Sequence, residues 1–173
     1  MEKYDVVIIG AGPCGLTAAI YALRSGLSVA IIEKNMIGGQ TSLTYEVKNY
    51  PGFVSISGME LSTKIHEQAT LLGAVTIYGE VKSINFSPMN NLIIVEDKEV
   101  FANTIILSMG ARARTLGVNG ESDFIGRGIC YCAVCDGAIF KDQDVVLVGG
   151  GNSAVQDAIY LSNIAKSITI INN

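Results

Sequence analysis

Residues 4–33 read YDVVIIGAGPCGLTAAIYALRSGLSVAIIE, from Tyr4 to Glu33. Tyr4–Ile9 is β-branched and apolar on both faces, as a strand buried inside a parallel sheet must be. Three glycines follow as Gly10-x-Gly12-x-x-Gly15. Pro13–Ser25 predicts a helix, with proline in its first turn and Gly26 at its end. Ser28–Ile32 predicts a second buried strand, closed by Glu33. A strand, a tight turn, a helix and a strand within about thirty residues form one βαβ unit.

The glycines explain the turn. They permit a sharp reversal and let a pyrophosphate approach the backbone, so that the phosphates meet free N–H groups at the helix start. Gly10, Gly12, Pro13 and Gly15 are therefore candidate cofactor-binding residues. Glu33 ends the second strand about twenty residues on, where an acid takes ribose hydroxyls. Strand, helix and acid all support dinucleotide binding.

Outward from this unit, Asn35–Pro51 reads as a Gly- and Thr-rich loop. Gly58–Leu72 has helical spacing at Met59, Leu61, Ile65, Ala69 and Leu72. Ala74–Phe86 and Asn91–Phe101 read as strands of a small antiparallel sheet, with turns at Met89-Asn90-Asn91 and Asp97-Lys98. Thr104–Met109 reads as another buried strand. The pattern then returns: strand Asp144–Val148, turn Gly149-Gly150-Gly151, helix Asn152–Ala165 and strand Ser167–Ile171. Here the turn is Gly149-x-Gly151-x-x-Ala154, with Asn152, Ser153 and Ala154 opening the helix. The residue corresponding to Glu33 is Asn172 or Asn173, neither an acid for ribose nor an arginine for a 2′-phosphate. The fold class is α/β: a Rossmann-like unit with a small antiparallel sheet, then the start of a second Rossmann-like domain. The boundary falls near residues 112–117, giving domains 1–114 and 115–173.

The chain has 173 residues, 49% hydrophobic and 16% charged, enough for a real core. A net charge of −4 without basic runs argues against nucleic-acid binding. Val6–Leu23 carries no charge, but Gly10, Gly12, Pro13 and Gly15 interrupt it, so no membrane span is expected. The leader MEKYD is net acidic, unlike a secretion signal. A cytoplasmic location is expected, where thiols stay mostly reduced.

Three of the four cysteines lie in Gly128–Gly137, GICYCAVCDG. Metal binding, a structural disulfide, packing and redox chemistry are all open. Zinc prefers four ligands, and the single histidine, His66, is distant in sequence; no metal is expected. Cys132-x-x-Cys135 has redox spacing, and a helix starting there would lower a thiol pKa. Cys130 and Cys14 read as packed thiols.

The stretches GAGPCGLTAAIYALR, IGGQ, NYPGF, SMGARAR, CYCAVCDGAIF and GGGNSAVQDAIYLSNIA together resemble the low-molecular-weight, bacterial-type thioredoxin reductases, along the whole chain. The resemblance implies an FAD-binding domain at 1–114 and an incomplete NADPH-binding-type, nicotinamide-binding domain at 115–173. FAD would lie on Gly10, Gly12, Gly15 and Glu33, with Gly39, Gln40, Asn49 and Gly110 along the rest of it. NADPH would lie at Gly149, Gly151 and Asn152–Ala154. Cys132 and Cys135 would be the redox pair, the second against the flavin and the first attacking thioredoxin or a similar dithiol protein. Asp136 would exchange protons. The intact protein would be a homodimer. Family members run about twice as far, so weak NADPH-linked turnover and self-association are expected of these residues alone. Asn172 stands where the family has histidine, which keeps open a reductase fed by ferredoxin or one serving a peroxidase partner. A non-catalytic FAD-binding remnant is the third reading.

Overall fold

The computed structural model of the chain describes residues 2–172. Asn173, one of the two candidates for the position corresponding to Glu33, lies outside the described residues. The chain divides into two compact units, Met1–Ala111 and Arg112–Asn173.

In the first unit, β1 (Glu2–Ile9), α1 (Pro13–Arg24) and β2 (Val29–Glu33) form the expected βαβ crossover. β1 and β2 pair in parallel from Val6↔Val29 to Ile9↔Ile32. After α2 (Gly58–Leu71), β3 (Val75–Tyr78) pairs in parallel with β2. β4 (Val81–Asn85), β5 (Asn91–Val95) and β6 (Lys98–Leu107) form an antiparallel meander. β6 also pairs in parallel with β1. One mixed six-stranded sheet of Rossmann-like type results, in the order β3-β2-β1-β6-β5-β4.

Two expectations are corrected. Ala74–Phe86 is not one antiparallel strand: its first half is β3, in the parallel part of the sheet. The break falls at Gly79, with φ +152°, where a Cβ would come 2.8 Å from Val95 Cγ1. Glu80 and Glu96 hold the crossing, the Glu80 N–H donating to Glu96 Oε1 at 2.7 Å and the Glu96 N–H to the Glu80 carbonyl at 3.0 Å. The second correction concerns residues 98–107, which form one strand rather than two. Asn91 supports the switch of partners, its Nδ2 donating to the Ala102 and Asn103 carbonyls at 3.0 Å.

Alternation along β1 explains the core. Val6 and Ile8 face α1 and α2, packing with Leu16, Ile31, Leu61 and Ile65. Val7 and Ile9 face the meander, packing with Ile32, Ile93, Val95 and Val100. Val7, Ile8, Leu16, Ile31 and Ile93 are wholly buried, each contributing roughly 1.5–3 kcal/mol of burial. This two-sided core fixes the carboxyl ends of β1, β2 and β6 side by side.

The second unit contains α3 (Glu121–Phe124), α4 (Ala133–Asp136), β7 (Asp144–Val148), α5 (Asn152–Leu161) and β8 (Ser167–Ile171). β7 and β8 pair in parallel from Asp144↔Ser167 to Val148↔Ile171. α5 ends earlier than the expected Ala165. Ser162 Oγ and Asn163 Nδ2 both donate to the Ile159 carbonyl, a competition that favours helix termination.

Candidate functional site

The first glycine turn stands at the carboxyl ends of parallel strands, where α/β sheets bind ligands. Gly10 has φ +106°, and a Cβ there would fall on the Ser108 carbonyl. A Cβ on Gly15 would fall on the Gly10 carbonyl. Protein packing thus requires both glycines. Gly12 differs. Its φ is −73°, open to any residue, and a Cβ there would meet nothing within 4 Å. Neither strain nor packing demands this glycine, and the open space above it is what close approach of a pyrophosphate would need. Gly12 is also the N-cap of α1, where no side chain caps the helix.

Glu33 and Gly39 join this turn. Glu33 is buried; its Oε2 accepts the Ala11 N–H at 2.9 Å and its Oε1 the Asn35 N–H at 2.8 Å. Each oxygen keeps a further lone pair for a ribose hydroxyl. The Gly38 N–H donates to the Ala11 carbonyl at 2.8 Å, and a Cβ on Gly39 would lie 3.8 Å from Gly12 Cα. Gln40 Nε2 donates to the Ala111 carbonyl, beside Gly110 at φ +69°. Asn49 lies exposed in a bend, and no hydrogen bond ties its side chain to the turn among the described residues. The residues present fit a dinucleotide.

The second turn repeats this geometry. The Gly10 N–H donates to the Ile32 carbonyl at 2.8 Å, and the Gly149 N–H to the Ile171 carbonyl at 2.8 Å. Gly151 has φ −84°, open space around its would-be Cβ, and no side-chain cap on α5. Matching Ile32 with Ile171 makes Asn172 the counterpart of Glu33. Its side chain covers Gly150, the counterpart of Ala11, so a Cβ on Gly150 would run into the Asn172 amide. Asn152 and Ser153 are exposed and Ala154 is half-buried at the start of α5.

Cys132 and Cys135 form a disulfide, with Cα atoms 5.3 Å apart. Cys132 is the N-cap of α4, and its Sγ accepts the Cys135 N–H at 3.2 Å. A helix N–H is thus aimed at the Cys132 sulfur. Cys135 is exposed, Cys132 half-buried, and Asp136 half-buried in the same helical turn. The free Cys130 thiol is pushed up by burial and then by the Asp136 and Asp157 carboxylates. It is therefore held as the thiol beside the pair. Cys14 is free and exposed. His66 bonds Thr76 Oγ1 through Nε2 at 2.9 Å.

Residues 4–173 match the family model described as pyridine nucleotide-disulphide oxidoreductase. The chain belongs to this family. It is 47% identical over 97% of its length to the thioredoxin reductase of Bacillus subtilis (strain 168), covering 53% of that protein. The crystal structure of thioredoxin reductase from Streptococcus pyogenes MGAS5005 is 49% identical and superposes with a TM-score of 0.91, over 97% of this chain and 55% of that one. A ferredoxin-flavin thioredoxin reductase from Clostridium acetobutylicum is 32% identical, with a TM-score of 0.59, over 100% of this chain and 60% of that one. The chain spans about half the length of the curated relatives it matches.

Sequence reasoning missed three residues near the candidate sites. Ser108 supplies the carbonyl beneath Gly10. Glu121 and Tyr131 are joined by a hydrogen bond close to the disulfide. An acid four residues beyond Gly117 and a tyrosine between two cysteines were visible signals. Neither matches a motif, and only the fold joins them.

Proposed function

We propose that this chain carries the FAD-binding and redox-disulfide portions of a flavin-dependent thioredoxin-disulfide reductase. The supporting observation is a disulfide whose Cys132 sulfur accepts a helix N–H, in a chain with two uncapped glycine turns. Unit 1 is the FAD-binding domain: Gly10, Gly12, Pro13 and Gly15 take the pyrophosphate and Glu33 a ribose. Gly39, Gln40, Asn49 and Gly110 extend that site. FAD bound there supplies a two-electron carrier between a nicotinamide donor and the disulfide. Unit 2 is the nicotinamide-binding-type domain, with Gly149, Gly151, Asn152, Ser153 and Ala154 at the pyrophosphate.

Cys132 attacks the partner disulfide, because its sulfur receives the Cys135 N–H. An S–S bond to the partner forms, and the partner's other sulfur leaves and takes a proton. Cys135 then attacks Cys132 Sγ, which re-forms the internal disulfide and releases the partner as a dithiol. Asp136, next to Cys135 in sequence, exchanges protons with the pair. The partner is thioredoxin or a similar dithiol protein, the intact protein is a homodimer, and its location is cytoplasmic. No helix is long and apolar enough to cross a membrane among the described residues.

Asn172 favours a second reading for the electron donor. It stands where Glu33 stands in unit 1 and offers neither a carboxylate to a ribose nor a cation to a 2′-phosphate. Reduced ferredoxin is the alternative source. The visible spectrum of the purified chain, taken anaerobically before and after adding NADPH and then reduced ferredoxin, tests both readings. A flavin spectrum bleached by NADPH supports the first. Bleaching by ferredoxin alone selects the second, and a colourless chain counts against FAD being held by these residues.

A further inference from the structure

Glu121 is 7% exposed and has no ion pair among the described residues. A buried carboxylate must be satisfied by donors. Its Oε1 accepts the Leu116 N–H at 2.7 Å and the Tyr131 hydroxyl; its Oε2 accepts the Gly117 N–H at 2.8 Å. All three are donors, so the arrangement suits the ionised acid. Tyr131 is 36% exposed, so burial alone does not fix its ring. It lies between Cys130 and Cys132. Cys132 Sγ in turn receives the Cys135 N–H. Hydrogen bonds and one short stretch of chain thus connect Glu121 to the redox sulfur.

The role of this connection changes with redox state. While the Cys132–Cys135 bond is intact, it fixes Cys132 covalently. Two electrons and two protons convert it to two thiols, and that restraint disappears. Only non-covalent contacts then hold Cys132 at the N-cap of α4. We infer that Glu121 is a positioning residue that acts through Tyr131, holding the 130–132 segment so that the reduced Cys132 sulfur stays on the Cys135 N–H. The inference rests on the redox reading above. The latch stabilises the dithiol more than the disulfide, because the disulfide already has a covalent restraint.

The test is the redox equilibrium of the full chain with glutathione, in which two glutathione thiols reduce the internal disulfide and form one glutathione disulfide. Tyr131→Phe and Glu121→Gln should each shift this equilibrium toward the internal disulfide by about threefold to tenfold, the range for one lost hydrogen bond. The double variant should shift it no further than the larger single shift, as for one shared interaction. A folded Tyr131→Phe protein with the wild-type equilibrium overturns the inference, as do fully additive shifts. Tyr131→Phe removes only a hydroxyl, so the test stands if Glu121→Gln does not fold. A wild-type chain that forms no internal disulfide at any glutathione ratio would sink the redox reading instead.

Discussion

After β1, the Gly10 N–H reaches the Ile32 carbonyl at 2.8 Å, and after β7 the Gly149 N–H reaches the Ile171 carbonyl at the same distance. Both turns place an uncapped glycine at the start of a helix. Their foundations differ. β1 ends in four buried residues, and all five residues of β2 are buried. β7 alternates between exposed and half-buried, and β8 is mostly exposed, with Val146, Val148, Ile170 and Ile171 about half open. The turn is therefore encoded locally, by glycine conformation and one strand-end hydrogen bond. It does not require a two-sided core. What the core adds is rigidity beneath the site.

The third glycine position separates the two units most sharply. Gly15→Ala puts a Cβ on the Gly10 carbonyl, a backbone collision that no rotamer relieves. Unit 1 should lose about 3 kcal/mol or more, in line with severe overpacking. Unit 2 already carries Ala154 there, so Ala154→Gly should cost only the helix propensity difference, about 1 kcal/mol. Urea unfolding of the two variants measures both. Equal losses would mean that the two turns share their packing after all.

Hydrogen exchange should rank the units as burial does. Amides of β1, β2 and the second half of β6 should exchange at least about a hundredfold more slowly than those of β7 and β8, because opening the two-stranded sheet exposes little core. Comparable protection in β7 and β1 would contradict the contrast drawn from exposure.

Legibility followed the same contrast. The βαβ unit of residues 4–33 was readable because each signal was local: an apolar strand, a glycine turn, a helix-starting proline and a strand-end acid. Local signals also disclosed the second turn. They failed where partner choice decided the outcome. Residues 74–86 are β-prone on both sides of Gly79, a glycine that by itself reads equally as a bulge, and the strand beside each half shows that β3 and β4 are separate. The middle of the unbroken β6 is bonded by Asn91, a side chain from another strand. At the candidate site, Gly10, Gly12, Gly15 and Glu33 stood out from the residues themselves and Gly39 only through the family resemblance, and the five lie together around the first turn. Which glycines packing demands and which leave room for a ligand was not legible, since Gly10 and Gly12 are identical letters. Glu121 escaped notice because its donors come from residues 116, 117 and 131.

The smallest predicted effect concerns how helices begin. α2 starts at Ser57, whose Oγ accepts the Glu60 N–H at 3.1 Å. α1 and α5 start at Gly12 and Gly151, where no side chain accepts such a bond. If the glycine turns leave their helix starts open for phosphate, removing the Ser57 cap should affect stability alone. Ser57→Ala should cost about 1 kcal/mol, the usual worth of an N-cap, seen as a lower urea midpoint with an unchanged slope. The flavin content of the purified chain should stay at the wild-type level, because α2 starts with its own cap. Loss of flavin at unchanged stability would place α2 in the cofactor site and erase the distinction between capped and open helix starts.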